Sequence, residues 1–173
     1  MPEAQGEPRS RVRDAVAGDL PRIVEIYNQS IPGRRATADL ERVTVEDRAH
    51  WFEQHDPRHW PLWVVEAGGR VAAWLSLERF YGRAAYDATA EVSVYVTSEE
   101  QGQGFGRLLL SLALERAPEL GLASLVAFVF DHNEPSLSLF EGLGFARWGH
   151  LPGVARLDGV ERDVVVLGRR VAG

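Results

Sequence analysis

The residues most able to do chemistry in this chain cluster around one glycine-rich turn. Gly102, Gly104 and Gly106 follow an alternating strand pattern and precede a helix with apolar periodicity. A glycine turn at the start of a helix leaves backbone N–H groups unpaired and places no side chain in the way of a phosphate. The turn is therefore a candidate anion-binding site, and the question is which phosphorylated ligand it holds.

Three known phosphate loops can be compared with this turn. The P-loop needs G-x-x-x-x-G-K-[ST], but no lysine or hydroxyl residue follows these glycines. The dinucleotide fingerprint G-x-G-x-x-G has a different spacing from Gly102-x-Gly104-x-Gly106. Asp131 lies at a suitable distance for the acidic residue of that fingerprint, but a dinucleotide-binding fold would also require the turn to lie in a series of parallel βαβ units. The third pattern, Q/R-x-x-G-x-G/A, matches Gln101-x-x-Gly104-x-Gly106. A glycine turn without a ligand stays open at this point.

A second motif lies downstream of the turn. The segment from Asn133 to Phe145 has the form N-x-x-[AS]-x-x-x-[Y/H/F]-[EK]-x-L-G-F, with Phe140 at the aromatic position. Asn133 also fits an ordinary helix N-cap, a role that is compatible with a ligand contact. Together the two motifs resemble the acetyl-coenzyme A (acetyl-CoA) site of the GNAT N-acetyltransferase superfamily.

Segments upstream of the glycine turn resemble one family within this superfamily. The segments Glu25-Ile26-Tyr27-Asn28 and 80–96 are similar to the phosphinothricin and methionine-sulfone N-acetyltransferase family. With Gly149-His150-Leu151 and Asp163, the similarity covers nearly the whole chain after residue 11. The paired Glu-x-Ser-Val-Tyr-Val and Gln-x-x-Gly-x-Gly motifs are its most specific part.

This resemblance implies a set of cofactor-binding positions on the strand, the turn and the second motif. They are Val94, Tyr95, Val96, Gln101, Gly102, Gln103, Gly104, Phe105, Gly106, Arg107, Asn133 and Phe140. The backbones of Val94 and Val96 would pair with the pantetheine arm, and an N–H near Val94 would stabilise the oxyanion. No metal is implied.

The implied reaction is direct transfer of acetyl to a primary amine, with Glu91 as general base. A protonated amine must lose a proton before it attacks, and a carboxylate can accept that proton. Alternation along the strand places Val92, Val94 and Val96 on a core face and Glu91 on the opposite, polar face. Without the resemblance, Glu91 is better explained as a carboxylate on an exposed sheet face, which is the commoner position of strand glutamates.

The substrate implied is a small amino-acid-like amine such as phosphinothricin, methionine sulfone or methionine sulfoximine. Arg83 is the candidate cation for a substrate carboxylate and Tyr86 a candidate wall residue, although Arg83 also fits a solvated loop. A protein N-terminus or an antibiotic amine is the alternative acceptor. A non-catalytic acyl-CoA-binding sensor is the alternative from another class of protein.

Two positions depart from the family. Phe140 stands where relatives often carry tyrosine or histidine, and phenylalanine cannot protonate the departing thiolate. Water, Tyr95 or His150 would have to serve, or the thiolate leaves unassisted. Tyr81 stands where relatives commonly carry arginine, so the substrate preference can differ from phosphinothricin.

Composition limits the other function classes. The chain has no cysteine, which excludes disulfides and thiolate chemistry, and its histidines show no metal-ligand spacing. A net charge of −6 argues against nucleic acid or an anionic membrane as the partner. No apolar run is long enough for a membrane span, and the polar start lacks a signal-peptide core. We therefore expect a cytoplasmic enzyme, and the family resemblance implies a possible homodimer.

The order of the predicted strands and helices indicates a mixed α/β sheet in one domain. The family resemblance implies an α/β (α+β) fold of the GNAT acyl-CoA N-acyltransferase type, with a mixed, mostly antiparallel sheet flanked by helices. We expect a flexible segment at 1–10 and a single domain at 11–173. The clearest local signals are a hairpin at Ala67-Gly68-Gly69, a capping box at Thr44 and a helix start at Asp19. Residues 31–43 predict only a loop or broken helix. The last two strands are predicted at Phe145–Leu151 and Glu161–Leu167.

Overall fold

The computed structural model describes residues 10–171, and within this range seven strands form one sheet with four α-helices against it. The strands are β1 (Ser10–Asp14), β2 (Leu62–Ala67), β3 (Arg70–Arg79), β4 (Thr89–Val96), β5 (Ser124–Phe130), β6 (Ala146–Leu157) and β7 (Val160–Arg170). The helices are α1 (Leu20–Gln29), α2 (Val45–Glu53), α3 (Phe105–Arg116) and α4 (Glu134–Gly142). The predicted flexible segment 1–10 lies outside the described residues except for Ser10, and the single domain at 11–173 stays a prediction.

The sheet order is β1-β2-β3-β4-β5-β7-β6, and the neighbouring strands are antiparallel except for the parallel pair β4 and β5. That parallel pairing runs only from Thr89 opposite Ser124 to Glu91 opposite Val126. Both strands continue beyond this point, to Val96 and Phe130. A gap therefore opens in the middle of the sheet directly after Glu91. The predicted mixed, mostly antiparallel sheet flanked by helices is confirmed.

Both faces of the sheet are covered by helices. On one face Leu75 of β3 is buried in the same cluster as Leu109 of α3. On the other face Trp74 is buried with Ile23 of α1, and the ring of Tyr95 stacks on it at 4.7 Å between centroids. The end of β4 that carries Tyr95 therefore packs against Tyr27 of α1, at 5.2 Å between ring centroids, rather than lying on the open polar surface that alternation alone suggests.

Two local signals act as the sequence predicts. Thr44 begins α2 with a capping box, since its hydroxyl accepts from the N–H of Asp47 at 3.1 Å and the Asp47 carboxylate accepts from the N–H of Thr44 at 2.8 Å. Gly68 and Gly69 have φ of 58° and 75° between β2 and β3. Positive φ at both central residues is the requirement of a tight type I′ hairpin turn.

Two predicted details are wrong. Helix α1 begins after Asp19, but this side chain does not cap it; the carboxylate accepts from Arg13 and from the N–H of Val16. The strand predicted to end at Leu151 continues to Leu157, and its partner continues to Arg170. The pairing with β7 is irregular between Leu151 and Ala155, and the sequence there resembles the end of a strand. Regular pairing resumes at Ala155, so the strand is longer than predicted.

Candidate active site

The gap between β4 and β5 exposes backbone hydrogen-bonding groups. The N–H of Thr97 donates to Ala72 O of β3 at 2.8 Å, and the pairing of β3 with β4 runs from Ala90 to Val96 without a bulge. Backbone groups alternate in direction along a strand. The N–H groups of Val94 and Val96 therefore point away from β3, into the gap where β5 no longer pairs. A ligand in this gap can hydrogen bond to β4 as a strand would.

The glycine turn lies at the end of β4 and leads into α3. Gly102 and Gly104 have φ of 77° and 82°, and a Cβ on either would meet nothing within 4 Å. These two glycines are needed for backbone conformation. Gly106 serves packing instead, because a Cβ there would lie 3.3 Å from Leu139 Cδ2 of α4 and 3.7 Å from Val96 Cγ2. The start of α3 is thereby left open to an anion and close to the gap.

The other predicted positions in the turn face solvent or support the helix. Gln101, Gln103 and Arg107 are exposed, and Phe105 is half-buried at the first position of α3. Arg107 lies near α4, with Nη1 at 4.0 Å from where a Cβ on Gly142 would stand. An exposed guanidinium beside free N–H groups suits a phosphate. The turn therefore fits the pyrophosphate of a nucleotide-type ligand.

Glu91 lies at the point where β4 and β5 separate. It is half-buried and lines a cavity of about 390 Å³ together with Ser93 and Tyr95 of β4 and Phe128 of β5. Burial raises the pKa of Glu91, and the negative charge of Glu78 on β3 raises it further. A carboxylate with a raised pKa is a better proton acceptor near neutral pH than an ordinary glutamate.

A narrower cavity of about 50 Å³ lies in the gap itself. Its walls are the separated parts of β4 and β5, together with Asn133 and Phe140. Asn133 caps α4 by accepting from the N–H of Ser136 at 3.3 Å, which confirms the predicted N-cap. Phe140 is buried, and its ring meets Phe145 edge-to-face at 5.0 Å. Both downstream residues named from the sequence thus reach the gap.

Residues 34–38, here called the strap, cross over the gap, although the sequence predicts only a loop or broken helix there and favours a solvated position for Arg34 and Arg35. Asn133 Nδ2 donates to Arg35 O at 3.2 Å, and the Tyr95 hydroxyl donates to Ala36 O at 3.3 Å. Arg34 forms an ion pair with Asp158 in the turn between β6 and β7 at 2.8 Å. The strap consequently lines both cavities, with Arg35 on the narrow one and Ala36 on both.

The two predicted substrate residues lie outside these cavities. Arg83 is exposed, and Tyr86 sits in a single 3-10 turn after it. Tyr86 is linked to the larger cavity through rings: it lies 5.9 Å from Phe80, which stacks on Phe128 at 6.3 Å. Phe128 lines both cavities. Tyr86 therefore stands near their mouth, whereas nothing in the described residues brings Arg83 to a cavity wall.

The two candidate replacements for a proton donor at Phe140 differ in position. His150 lies on β6, is exposed and contacts Asp163 Oδ2 at 2.7 Å, and it lines neither cavity. Tyr95 lines both cavities, and burial raises the pKa of its hydroxyl, which keeps the proton in place. Of the two, only Tyr95 is placed to donate a proton inside the site.

Two other kinds of site are absent from residues 10–171. No group of three or more histidine or acidic side chains there could hold a metal ion. In the same range, no helix has both the length and the apolar character needed to span a membrane.

The glycine turn at the start of α3, the split between β4 and β5 and the half-buried Glu91 beside that split are the features to compare with known proteins. Residues 20–145 match the model of the Acetyltransferase (GNAT) family. The chain belongs to this family and is an acetyltransferase.

Two relatives narrow the comparison. The chain is 52% identical over 155 residues to "Putative phosphinothricin acetyltransferase YwnH" of Bacillus subtilis (strain 168), covering 89% of this chain and 94% of the relative. It is 33% identical over 157 residues to the L-methionine sulfoximine/L-methionine sulfone acetyltransferase of Pseudomonas paraeruginosa, covering 90% and 91% of the two chains.

A solved structure supplies the cofactor comparison. The phosphinothricin acetyltransferase of Sinorhizobium meliloti, in complex with acetyl-CoA, superimposes with a TM-score of 0.88. The two chains are 29% identical, and the match covers 94% of this chain and 89% of the other. The family resemblance seen in the motifs is thus confirmed over nearly the whole fold.

Proposed function

We propose that this enzyme transfers acetyl from acetyl-CoA to the primary amine of a small amino-acid-like compound, with Glu91 as general base. The observation that carries the proposal is the position of Glu91. It is half-buried, has a raised pKa, and stands where the gap for a cofactor meets a cavity of about 390 Å³. The amine would enter this cavity, and the acetyl group would arrive through the gap.

Each part of the site has a task in this reaction. Acetyl-CoA supplies the activated acetyl group. The open N-terminus of α3 and Arg107 would hold its pyrophosphate, and the N–H groups of Val94 and Val96 would hold its arm along β4. The N–H of Val94 would serve as the donor that stabilises negative charge on the oxygen of the carbonyl under attack.

Two side chains move protons. Glu91 takes the proton that an ammonium group must lose before attack, directly or through a water molecule, a step worth about 10²–10⁴-fold in rate. Tyr95 is the candidate side chain placed to protonate the departing thiolate, because Phe140 cannot donate and His150 lies outside the cavities. Burial raises the pKa of the Tyr95 hydroxyl and makes it a weak acid, so a water molecule or unassisted departure of the thiolate is the alternative. Direct attack requires no covalent intermediate on the protein, in keeping with the absence of cysteine from the chain.

The substrate class is supported by the relatives and by the size of the cavity. The relatives are named for phosphinothricin and for methionine sulfoximine and sulfone, which are amino acids. Tyr86 and the neighbouring rings border the mouth of the cavity. Arg83 would pair with a substrate carboxylate only at that mouth. In the homodimer that the family resemblance implies, a second subunit would contribute further residues to the mouth. A protein N-terminus remains the alternative acceptor.

Thiol release, measured over a panel of amines that includes phosphinothricin, methionine sulfoximine, methionine sulfone, peptides and aminoglycosides, tests the proposal. We expect turnover with at least one of the amino-acid-like compounds. Turnover of peptides alone, or of aminoglycosides alone, would contradict an amino-acid-like substrate and favour a protein N-terminus or an antibiotic amine as the acceptor. Calorimetric binding of acetyl-CoA without turnover of any amine would favour a sensor, and no binding at all would overturn both ideas.

A further inference from the structure

A second carboxylate faces Glu91 across the sheet. Glu78 of β3 and Glu91 of β4 are direct partners in the antiparallel register. Side chains of such partners project from the same face with their Cβ atoms about 5 Å apart. Like charges directly opposite each other destabilise a sheet. Among residues 10–171, no arginine or histidine forms an ion pair with either glutamate, so the repulsion is not relieved locally.

Glu78 is held in this unfavourable position by its own hydrogen bonds. The indole N–H of Trp51 on α2 donates to Glu78 Oε1 at 3.0 Å, and the Ser76 hydroxyl donates to Oε2 at 3.3 Å. The ring of His55 lies 4.7 Å from that of Trp51, and burial lowers the pKa of His55, which favours its neutral form. Trp51 of α2 therefore fixes the Glu78 carboxylate through a neutral donor. Arg48 of the same helix lies 5.5 Å from the Trp51 ring and forms its ion pair with Asp39 instead.

The two glutamates belong to different cavities. Glu91 lines the cavity of about 390 Å³ assigned to the amine, whereas Glu78 lines a separate cavity of about 730 Å³ beside His55 and Trp60. Glu78 thus has no contact with the amine cavity and can influence the reaction only through Glu91.

We propose that Glu78 is a positioning residue for the acetyl transfer: its carboxylate, fixed by Trp51, faces Glu91 and makes Glu91 a stronger base. This inference rests on the proposed function of Glu91. The groups that face Glu91 are Glu78 from β3, with His55 of the loop after α2 behind it, and Tyr95 from β4. Of these, Glu78 raises the pKa of Glu91, adding to the effect of burial. A base whose pKa lies nearer the working pH removes an ammonium proton more effectively.

The test is the variant Glu78→Gln, whose amide oxygen can still accept from Trp51 while the charge is removed. Titration of the glutamate carboxyl carbons by NMR, assigned with Glu91→Gln, reports the midpoint of Glu91 without any acceptor. We expect Glu78→Gln to lower this midpoint by about 0.5–1 pH unit. The acid limb of the kcat/KM profile should move down by the same amount, and the plateau should fall about two- to fourfold.

Two further variants separate charge from structure. Glu115→Gln removes an exposed carboxylate from α3, on the opposite face of the sheet, and should shift nothing. Trp51→Phe keeps the charge of Glu78 but removes its anchor. A structural effect of Glu78→Gln would have two signs. Trp51→Phe would lower the plateau of the kcat/KM profile as Glu78→Gln does, and Glu78→Gln would leave the titration midpoint of Glu91 at its wild-type value.

An unchanged Glu91 midpoint in Glu78→Gln overturns the role of Glu78 alone. Equal acetylation rates for the wild type and Glu91→Gln overturn the base assignment and the role of Glu78 with it. The two failures are therefore distinguishable.

Discussion

Two groups of carboxylates in this protein put the same functional group to opposite uses. Asp19 and Glu66 share Arg13, whose Nη1 lies 2.7 Å from Asp19 Oδ2 and whose Nε lies 2.9 Å from Glu66 Oε2. The hydrogen bonds from Arg13 lower the pKa of both carboxyl groups. Glu78 and Glu91 instead face each other without a cation, and burial together with Glu78 raises the pKa of Glu91.

The difference separates a carboxylate that stabilises the fold from one that is available for proton transfer. The Arg13 cluster joins β1 to β2 and to the start of α1, where nothing has to react. At the amine cavity, an arginine beside Glu91 would lower its proton affinity and weaken it as a base. We therefore expect substitutions in the first group to change stability and those in the second to change rate.

The largest expected effect is that of Glu91→Gln on turnover. The amide cannot accept the proton of the amine, so kcat should fall at least tenfold, within the range of up to about 10⁴-fold seen for loss of a general base. Affinity for acetyl-CoA should stay nearly unchanged, because the contacts proposed for it run along the backbone of β4 and the glycine turn. Steady-state kinetics and calorimetry measure the two quantities. A similar loss in both would mean that Glu91 shapes the cofactor site instead.

The next effect is that of Asp19→Asn on stability. Asp19 is buried, with 8% of its surface exposed, and accepts both from Arg13 and from the N–H of Val16. Loss of its charge leaves Arg13 with one carboxylate, and we expect the free energy of unfolding to fall by about 1–3 kcal/mol. Urea unfolding measures this change. Asp14→Asn, at an exposed neighbour on β1, is the matched control and should have little effect.

The stabilisation that Asp19 provides should depend on pH. The pKa of Asp19 is lowered in the folded protein, so its contribution to stability is present above the unfolded value of about 3.9 and is lost as the pH falls through the folded pKa. The difference in unfolding free energy between wild type and Asp19→Asn should therefore shrink as the pH is lowered from 7 to about 3. A difference that stays constant would attribute the effect to packing rather than to charge.

The sequence predicts those parts of the site that depend on local pattern. The strand with Glu91, the glycine turn and the Asn133 cap are each short segments, and the backbone preferences of each depend on residues within that segment. The strap could not be found in this way, because its position depends on hydrogen bonds such as that from Asn133 to Arg35 O, 98 residues apart in the chain. Residues 31–43 show no periodicity that would indicate it.

The pairing of Glu78 with Glu91 was also invisible in the sequence. It depends on the register between β3 and β4, which is set across the irregular link at 80–88. A slip of one residue would put the two carboxylates on opposite faces of the sheet. Arg83 shows the converse, since its charge suits a substrate carboxylate while its place in the fold is exposed and away from the cavity walls.

The smallest expected effect is a gain in stability from Glu91→Gln, the variant with the largest loss of activity. The raised pKa of Glu91 means that the folded state holds its proton more tightly than the unfolded chain does. Its contribution to stability is thus fully present below the unfolded value of about 4.3 and is lost as the pH rises through the folded pKa. A neutral amide avoids that loss, so Tm should rise by about 1–3 °C at pH 7.5. At pH 4, where Glu91 is largely protonated, the two proteins should melt together. A gain in Tm of equal size at both pH values would mean that the amide packs better than the carboxylate. The charge of Glu91 would then not be the property that sets it apart from the carboxylates around Arg13.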